Sequence, residues 1–412
     1  MTLGAHLMHQ AVGQRHGMVL PPQRAPLSMA DADIVHYGVP RRIDSPWESA
    51  SGGVARRERD ARLAAIGEAV ERTTSGLVQL PMSPRRDIPP DERIDAEDFA
   101  LFTPDQRAQP GFPHGSIYDP DCPYVEVFSL VDNSPVWVPQ PFVSLQDPHR
   151  TGVPNSSGLA AGPDPHAALL RGVQELIERD ALMTTWLHGL PGHAITPPSP
   201  LVSEVAKLSG EFTVLDLTPA YSPFPVAAVM GGIPKRGVWR YSLGVACKHD
   251  WESAVDKAYL EWNQGVLFAG VYGELADVSR IQKDTELHSF DEHAMYYTLY
   301  PELWPDLPIL REKNVLRSPS QRAAPEEPRR ALEVARKALL DAGIRVYYRE
   351  VSTIDAIQAG LRVVKALSPD MALIHSHDAW PFLHKVDGMV ESRYPGRGAE
   401  SQFPNLKPHP LG

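Results

Sequence analysis

At 412 residues with 42% hydrophobic side chains, the chain is long enough to bury a large core. Its 40 basic against 51 acidic residues leave a net charge of −11, which excludes the basic footprint of a nucleic-acid-binding surface. Cys122 and Cys247 form no metal or redox pattern, and no stretch approaches a signal peptide or a membrane span, which together point to a reduced, cytoplasmic protein without a membrane partner.

Residues 1–35 read as a weakly ordered N-terminal segment, followed by a strand-like run at 34–43 and a flexible turn at SASGG, 49–53. The first strong helix is ARLAAIGEAVER, 61–72, which carries Glu68, Glu71 and Arg72. Residues 80–115, dense in Pro, Asp and Arg, read as a long surface excursion. YVEVFSLVD and PVWVPQPFVSL alternate around a DNS turn as a hairpin. NSSGLAAG then leads into a second helix, ALLRGVQELIERDA, 168–181, with Glu175, Glu178, Arg179 and Asp180. FTVLDLT and VAAVMGG are short buried strands, and WRYSLGVACK leads into a third helix, SAVDKAYLEWNQ, 253–264, with Glu261 and Gln264. Residues 280–330 read as polar and peripheral. After them come a helix, a glycine stop and a strand at 326–351, a further helix over 353–367, a buried strand MALIHSH at 371–377, and an extended Pro-rich tail.

The second and third helices align without a gap: Ser156 falls on Ser242, Gly158 on Gly244, Ala168 on Ala254, Glu175 on Glu261 and Glu178 on Gln264. This is an internal repeat, and the first helix is a diverged third copy, so the expected fold is α/β with a pseudo-symmetric core. Residues i and i+3 share a helical face, so each Glu pair aims two carboxylates in one direction. Two such faces meeting would gather more negative charge than a protein can bury without a hard cation. A lone ExxER helix is ordinary solvated surface; its recurrence beside a Gly/Ser loop is what points to a site. HSHD at 375–378 offers two alternating histidines but no further spaced ligand, Cys247 reads as a small buried residue, and Trp186 and Trp251 read as packing.

GEAVER (67–72), SSGLAAG (156–162) with QELIERDA (174–181), LEWNQ (260–264) and KPHPLG (407–412) occur in an order that resembles the YcaO superfamily. LFTPDQ (101–106), VWVPQPFVSL (136–145), LDLT (215–218) and GLRVVKALSP (360–369) strengthen the likeness, which covers most of the chain. The resemblance implies a YcaO-like fold of mixed sheets and helices around an ATP cavity, and the chain indeed has no GxxxxGK[ST] phosphate loop. It divides the chain into the N-terminal segment 1–35, a catalytic domain over 36–390 and a tail, 391–412, that reaches the active site. It assigns Glu68 and Glu71 to one side of a Mg2+–ATP cluster and Glu175 and Glu178 to the other. Arg179 would meet phosphate oxygens, and Ser157, Glu261 and Gln264 would line the nucleotide. Arg72 is either a phosphate ligand or a partner of its own helix. Pro408, Pro410 and the Gly412 carboxylate would help arrange proton transfer.

The family activates a peptide backbone amide. A nucleophile adds to the carbonyl, the oxyanion takes the γ-phosphoryl group of ATP, and phosphate leaves with the former amide oxygen. The chain departs from its relatives in carrying Val54 and Ala55 where many have Lys-Gly, with Arg56 and Arg57 the nearest cations, and in lacking a third spaced proline in the tail. Residues 1–35 are too short for the leader-peptide-binding domain of many relatives. The expectation is therefore a precursor peptide substrate, with the protein standing alone, recruiting a separate partner or forming a homodimer. Intramolecular cyclodehydration to a thiazoline or macrocyclic amidine is the leading reading. Thioamidation with a TfuA-type partner is the second, and a non-catalytic scaffold or ribosomal-protein methylthiolation accessory is the third.

Overall fold

In the computed structural model, which describes residues 7–25, 34–41 and 51–412, the strands fall into three separate sheets with helices between them. The first sheet holds β1 (Gln23–Arg24), β2 (Val35–Val39) and β3 (Ser51–Ala55), all antiparallel. Helix α1 (Glu58–Leu77) follows. Glu58 and Asp60 oppose the positive end of its dipole, and Ala61, Ala65, Ile66, Ala69 and Val70 recur as its buried stripe.

The second sheet begins with β4 (Met82–Pro84), β5 (Pro123–Ser129), β6 (Pro135–Pro139) and β7 (Leu159–Gly162). The β5–β6 hairpin turns through Asn133 at φ 59°, a left-handed conformation that asparagine tolerates. Helix α2 (Pro165–Leu187) starts on Asp164, whose carboxylate accepts the Ala167 N–H at 3.0 Å, with Pro165 preset in the first turn. The third sheet is antiparallel and sequential: β8 (His193–Ile195), β9 (Glu211–Asp216), β10 (Val226–Lys235) and β11 (Val238–Cys247). Arg236 and Gly237, at φ 52° and 82°, make the two-residue turn that joins its long final pair. Helix α3 (Trp251–Leu275) repeats the start of α2, with Asp250 accepting the Ser253 N–H at 2.8 Å.

Helices α4 (Phe290–Leu299) and α5 (Pro328–Asp341) come next, and β12 (Tyr347–Glu350) and β13 (Arg362–Leu367) return to complete the second sheet in the order β4–β5–β12–β13–β7, with β6 flanking β5. The outcome matters for the site. Among the described residues β3, β7 and β11 each stand at the edge of their own sheet, and each feeds directly into a long helix.

Several expectations are corrected. Ser51, Gly52 and Gly53 belong to β3 and not to a turn, while residues 49 and 50 lie outside the described residues. The 80–115 excursion is not superficial: Ile88, Ile94 and the run Phe99–Phe102 are buried between short 3-10 turns. The 280–330 stretch contains α4 and buries Tyr297 and Trp304. The helix over 353–367 stops at Gln358, Gly360 turns the chain at φ 74°, and the rest is β13. Residues 371–377 are largely buried but join no ladder, because Ala372 N–H is taken by Asp180 Oδ1 at 2.8 Å. Residues 7–25 bury Ala11 and Val19, which bridge into a small N-terminal turn. No helix among the described residues is long and apolar enough to cross a membrane, and both cysteines are free and buried.

Candidate active site

The three strand–helix units meet as a ring. In the first two units the first acidic side chain of the helix pair stays close to home. Glu68 accepts the N–H of Gly52 in its own β3 at 2.9 Å, and Glu175 accepts that of Gly158, just ahead of its own β7, at 3.2 Å. The second side chain reaches across to the next unit. Glu71 accepts the N–H of Ala161 in β7 at 3.0 Å, and Glu178 accepts that of Cys247 in β11 at 3.1 Å. Gln264 closes the circle, because its side-chain amide lies against Gly52 of β3, where a Cβ would collide with it. The edge N–H groups that a sheet normally leaves unpaired are thus taken up by carboxylates around a common centre.

Each first carboxylate also has a cation one helical turn away. Arg72 forks onto Glu68 at 2.9 and 3.0 Å, Arg179 lies 3.6 Å from Glu175, and Lys257 lies 3.0 Å from Glu261. In the structure Arg72 thus pairs with its own helix. Glu71 and Glu178 have no such mate, and their charge is unfavourable. Burial, then Glu175 and Glu68, hold the Glu71 carboxyl well above its ordinary range, and burial and Glu261 push Glu178 up to about 8. Burial raises Glu175 too, but Arg179 and Lys365 oppose it. The side chains of Glu68, Glu175 and Glu261 keep 29, 26 and 32% of their exposure, so a ligand can reach the ring from outside.

The structure brings Glu68, Glu71, Glu175, Glu178, Glu261, Gln264, Arg72 and Arg179 into this ring. Ser157 sits beside it, with its N–H on Asn155 Oδ1 at 3.0 Å. The tail residues stand at one margin. Pro408 O accepts the Tyr297 hydroxyl at 2.7 Å, Pro410 is buried, and Gly412 lies against Ala294 of α4. His409, between the two prolines, is close enough to Arg179 to feel its charge.

Sequence reasoning missed three lysines. Lys365 of β13 is buried and donates to Ser157 O at 2.6 Å and Asn155 O at 2.9 Å, holding the loop ahead of α2. Burial brings its pKa down to about 8, against the pull of Glu175 and Glu71. Lys257 is the mate of Glu261, and burial lowers Lys248 although Glu178 and Glu261 face it. A lone cation inside the apolar run VVKAL was the available signal for Lys365, and the spacing of four to Glu261 was the signal for Lys257.

Among the described residues no group of three or more His, Cys, Asp or Glu side chains is arranged to hold a metal ion unaided. The ring instead supplies hard oxygen donors in facing pairs, of which two carry unfavourable charge. That suits Mg2+, which prefers a few carboxylates completed by water and phosphate oxygens. Arg179 supplies a guanidinium whose buried Nε has no protein partner, a donor fit for an anion.

A heterocyclase solved in complex with substrate and cofactor superposes with a TM-score of 0.71 at 19% identity, over 90% of this chain and 52% of its own. YcaO from Methanopyrus kandleri, bound with AMPPCP and Mg2+, gives 0.61 at 17% identity over 89% and 88% of the two chains. The E. coli microcin synthetase McbBCD complex gives 0.65 at 16%, over 96% and 98%. At these identities the likeness is one of fold, and the chain spans about half the length of the first of these proteins. The chain matches no curated protein sequence. The model of the YcaO cyclodehydratase family, described as ATP- and Mg2+-binding, matches residues 52–372, so the chain belongs to the YcaO family, with ATP and Mg2+ as its cofactors.

Proposed function

We propose that the protein uses ATP and Mg2+ to activate a backbone amide of a ribosomally made precursor peptide, so that a side-chain or terminal nucleophile of the same peptide cyclises with loss of water. The observation that carries this reading is the carboxylate ring with its matched cations. Glu68, Glu71, Glu175 and Glu178 would hold Mg2+, which neutralises the phosphates and draws charge from the γ-phosphoryl group. Arg179 binds phosphate oxygens and orients them, while Ser157, Glu261 and Gln264 face the nucleoside. The peptide nucleophile adds to the amide carbon, the resulting oxyanion takes the γ-phosphoryl group, and the phosphorylated oxygen leaves as phosphate while the nitrogen lone pair forms the new C=N bond. The nucleophile and the amide nitrogen each give up one proton, of which one ends on the departing phosphate and one in solvent, and ATP becomes ADP. Catalysis on this route is mostly positioning and charge neutralisation. Pro408, Pro410 and the Gly412 carboxylate act at the margin in arranging those protons.

The proposed domain limits follow the same reading, with 36–390 catalytic, 391–412 as the strap and 1–35 as an N-terminal segment. A separate peptide-recruiting partner fits it too, and the related microcin synthetase is itself a complex. Free buried cysteines suit a reducing cytoplasm.

The test is calorimetric binding of Mg–ATP to the wild type and to Glu175→Gln and Glu178→Gln, followed by mass spectrometry of candidate peptides. Micromolar binding lost in both variants, then a peptide lighter by one water, is the expected result. Oxygen replaced by sulfur would transfer the reading to thioamidation. A folded wild type that binds no Mg–ATP would leave a scaffold.

A further inference from the structure

The C-terminal strap ends in an arrangement that the proposed chemistry does not use. From Gln402 onward it is tied to the C-terminal end of α2. Gln402 N–H bonds His188 O at 2.8 Å, Asn405 N–H bonds Leu187 O at 2.7 Å, and the Trp186 indole N–H bonds Lys407 O at 2.8 Å. Its last anchor is a cluster of imidazoles. His409 stacks on His293 of α4 at 4.0 Å between ring centres with planes 12° apart, and His375 meets it edge-on at 5.3 Å. All three are buried, and the relative exposure of His293 and His409 is 0%.

The hydrogen bonds fix the tautomers. His409 Nε2 lies 2.7 Å from His375 O and His293 Nδ1 lies 3.0 Å from His409 O. Carbonyl oxygens only accept, so both of those nitrogens carry a proton. His409 Nδ1 and His293 Nε2 are then bare lone pairs, buried and without a hydrogen-bond partner, although Asp378 Oδ1 stands 3.4 Å from the second.

We propose that His409 is a positioning residue, the bolt of a histidine latch that holds the C-terminal strap beside Arg179. The stack tolerates a neutral His409 only, whereas His293 Nε2 has Asp378 Oδ1 at 3.4 Å. Two parallel imidazoles 4.0 Å apart in a dry site cannot both become imidazolium, and a proton on His409 Nδ1 would find no acceptor. The charges facing the stack are Arg179 from α2, Glu292 from α4, and His377 and Asp378 from the 371–378 segment. Arg179 opposes protonation of His409, whereas Glu292 favours protonation of its neighbour His293. Burial dominates all of them, bringing His375 down to about 3, His293 to about 4 and His409 well below its usual value.

A pKa depressed in the docked state stabilises docking above the ordinary histidine value near 6.5, and that stabilisation is lost as pH falls below it. For His409 alone, strap docking weakens about 25-fold between pH 7 and pH 5, and further if His293 also protonates once uncovered. The effect on nucleotide binding through Arg179 rests on the function proposed above, but the latch does not.

The test is hydrogen exchange of the 402–412 segment in the full chain without nucleotide, corrected for intrinsic rates, from pH 7 to pH 5. Protection that falls at least tenfold in the strap, while α2 and the third sheet keep theirs, is expected. His409→Gln, a neutral donor, should flatten the pH response, whereas His293→Phe, which keeps the stack, should leave the part that belongs to His409. Unchanged strap protection at pH 5 would overturn the latch, and so would an equal loss across the whole chain or an undiminished pH response in His409→Gln. Mg–ATP added at pH 5 should restore protection if the strap and the nucleotide site are coupled. If it does not, the coupling to the nucleotide fails while the pH result still stands for the latch.

Discussion

Binding of Mg–ATP should expel protons from the ring, and the number can be worked out in advance. Glu71 and Glu178 each accept one backbone N–H but have no cation of their own within ion-pair distance, unlike Glu68, Glu175 and Glu261. With its pKa near 8, Glu178 is about nine-tenths protonated at pH 7 when no ligand is bound. Burial, then Glu175 and Glu68, shift the Glu71 carboxyl in the same direction. A divalent cation between the helices inverts that preference and favours the ionised carboxyls. Lys365, near 8, is already about nine-tenths charged at pH 7 and takes up only about a tenth of a proton when phosphate arrives. Glu178 less Lys365 gives a net release of just under one proton, to which Glu71 adds, and the apparent affinity rises roughly tenfold per pH unit for each proton released, up to the pKa of the empty site. Calorimetry at pH 7 in buffers of different ionisation enthalpy reads the number directly, as the slope of observed against buffer enthalpy. A slope of zero, or proton uptake, would refute the assignment of a neutral Glu178 to the empty ring.

Glu178→Gln mimics the protonated side chain, so the melting temperature of the free protein should hold or rise while Mg–ATP affinity drops at least a hundredfold; thermal melts with and without Mg–ATP separate the two. Gly244→Ala would drive a Cβ into Ala258 O and Trp262 N of α3, both backbone atoms, and should destabilise the chain by about 3 kcal/mol in denaturant titration. Gly52→Ala meets only the movable end of Gln264, so it should fold normally yet weaken nucleotide binding. Asp180, fully buried, takes bonds from Arg393 Nε at 3.0 Å, Tyr221 Oη at 2.7 Å and Ala372 N at 2.8 Å. Asp180→Ala strands that guanidinium and should cost about 3–5 kcal/mol, read from the urea midpoint, with the greatest loss of protection at Arg393 and Tyr394.

The helices of the site were legible because an i, i+3 carboxylate pair and a gapless repeat survive as pattern. The strands were less so. Gly52 and Gly53 read as a turn, yet they are glycines because β3 runs too close to Gln264 and to the Ala61 and Ala65 backbone of α1 for any side chain. Beyond β4 the prolines in 80–115 announce the absence of a regular ladder, which is different from exposure, and Phe99 and Leu101 pack in the core without one. In 353–367 the helical pattern holds only to Gln358, and the β-branched pair in RVVKAL was the better guide to the chain beyond Gly360. The reach of Glu71, Glu178 and Gln264 into the next unit was out of sight, because it depends on how three sheets converge and on nothing local to any helix. His293 shows the same limit: nothing within α4 announces that it stacks on a residue more than a hundred positions later.

Every crossing in the ring joins one repeat to the next, so a single strand–helix unit owns half of each junction and none entire. Were the three units to descend from one, that ancestor could have closed the circle only as a cyclic trimer, each copy lending its second carboxylate to a neighbour. In such an assembly any substitution appears at all three corners at once. Fusion into one chain removes that constraint, and Gln264 is what the freedom looks like: one corner exchanged its acid for an amide while Glu71 and Glu178 kept theirs. A ring with one uncharged corner has a front and a back, which is the least that a pocket needs in order to tell the two ends of an unsymmetrical guest apart.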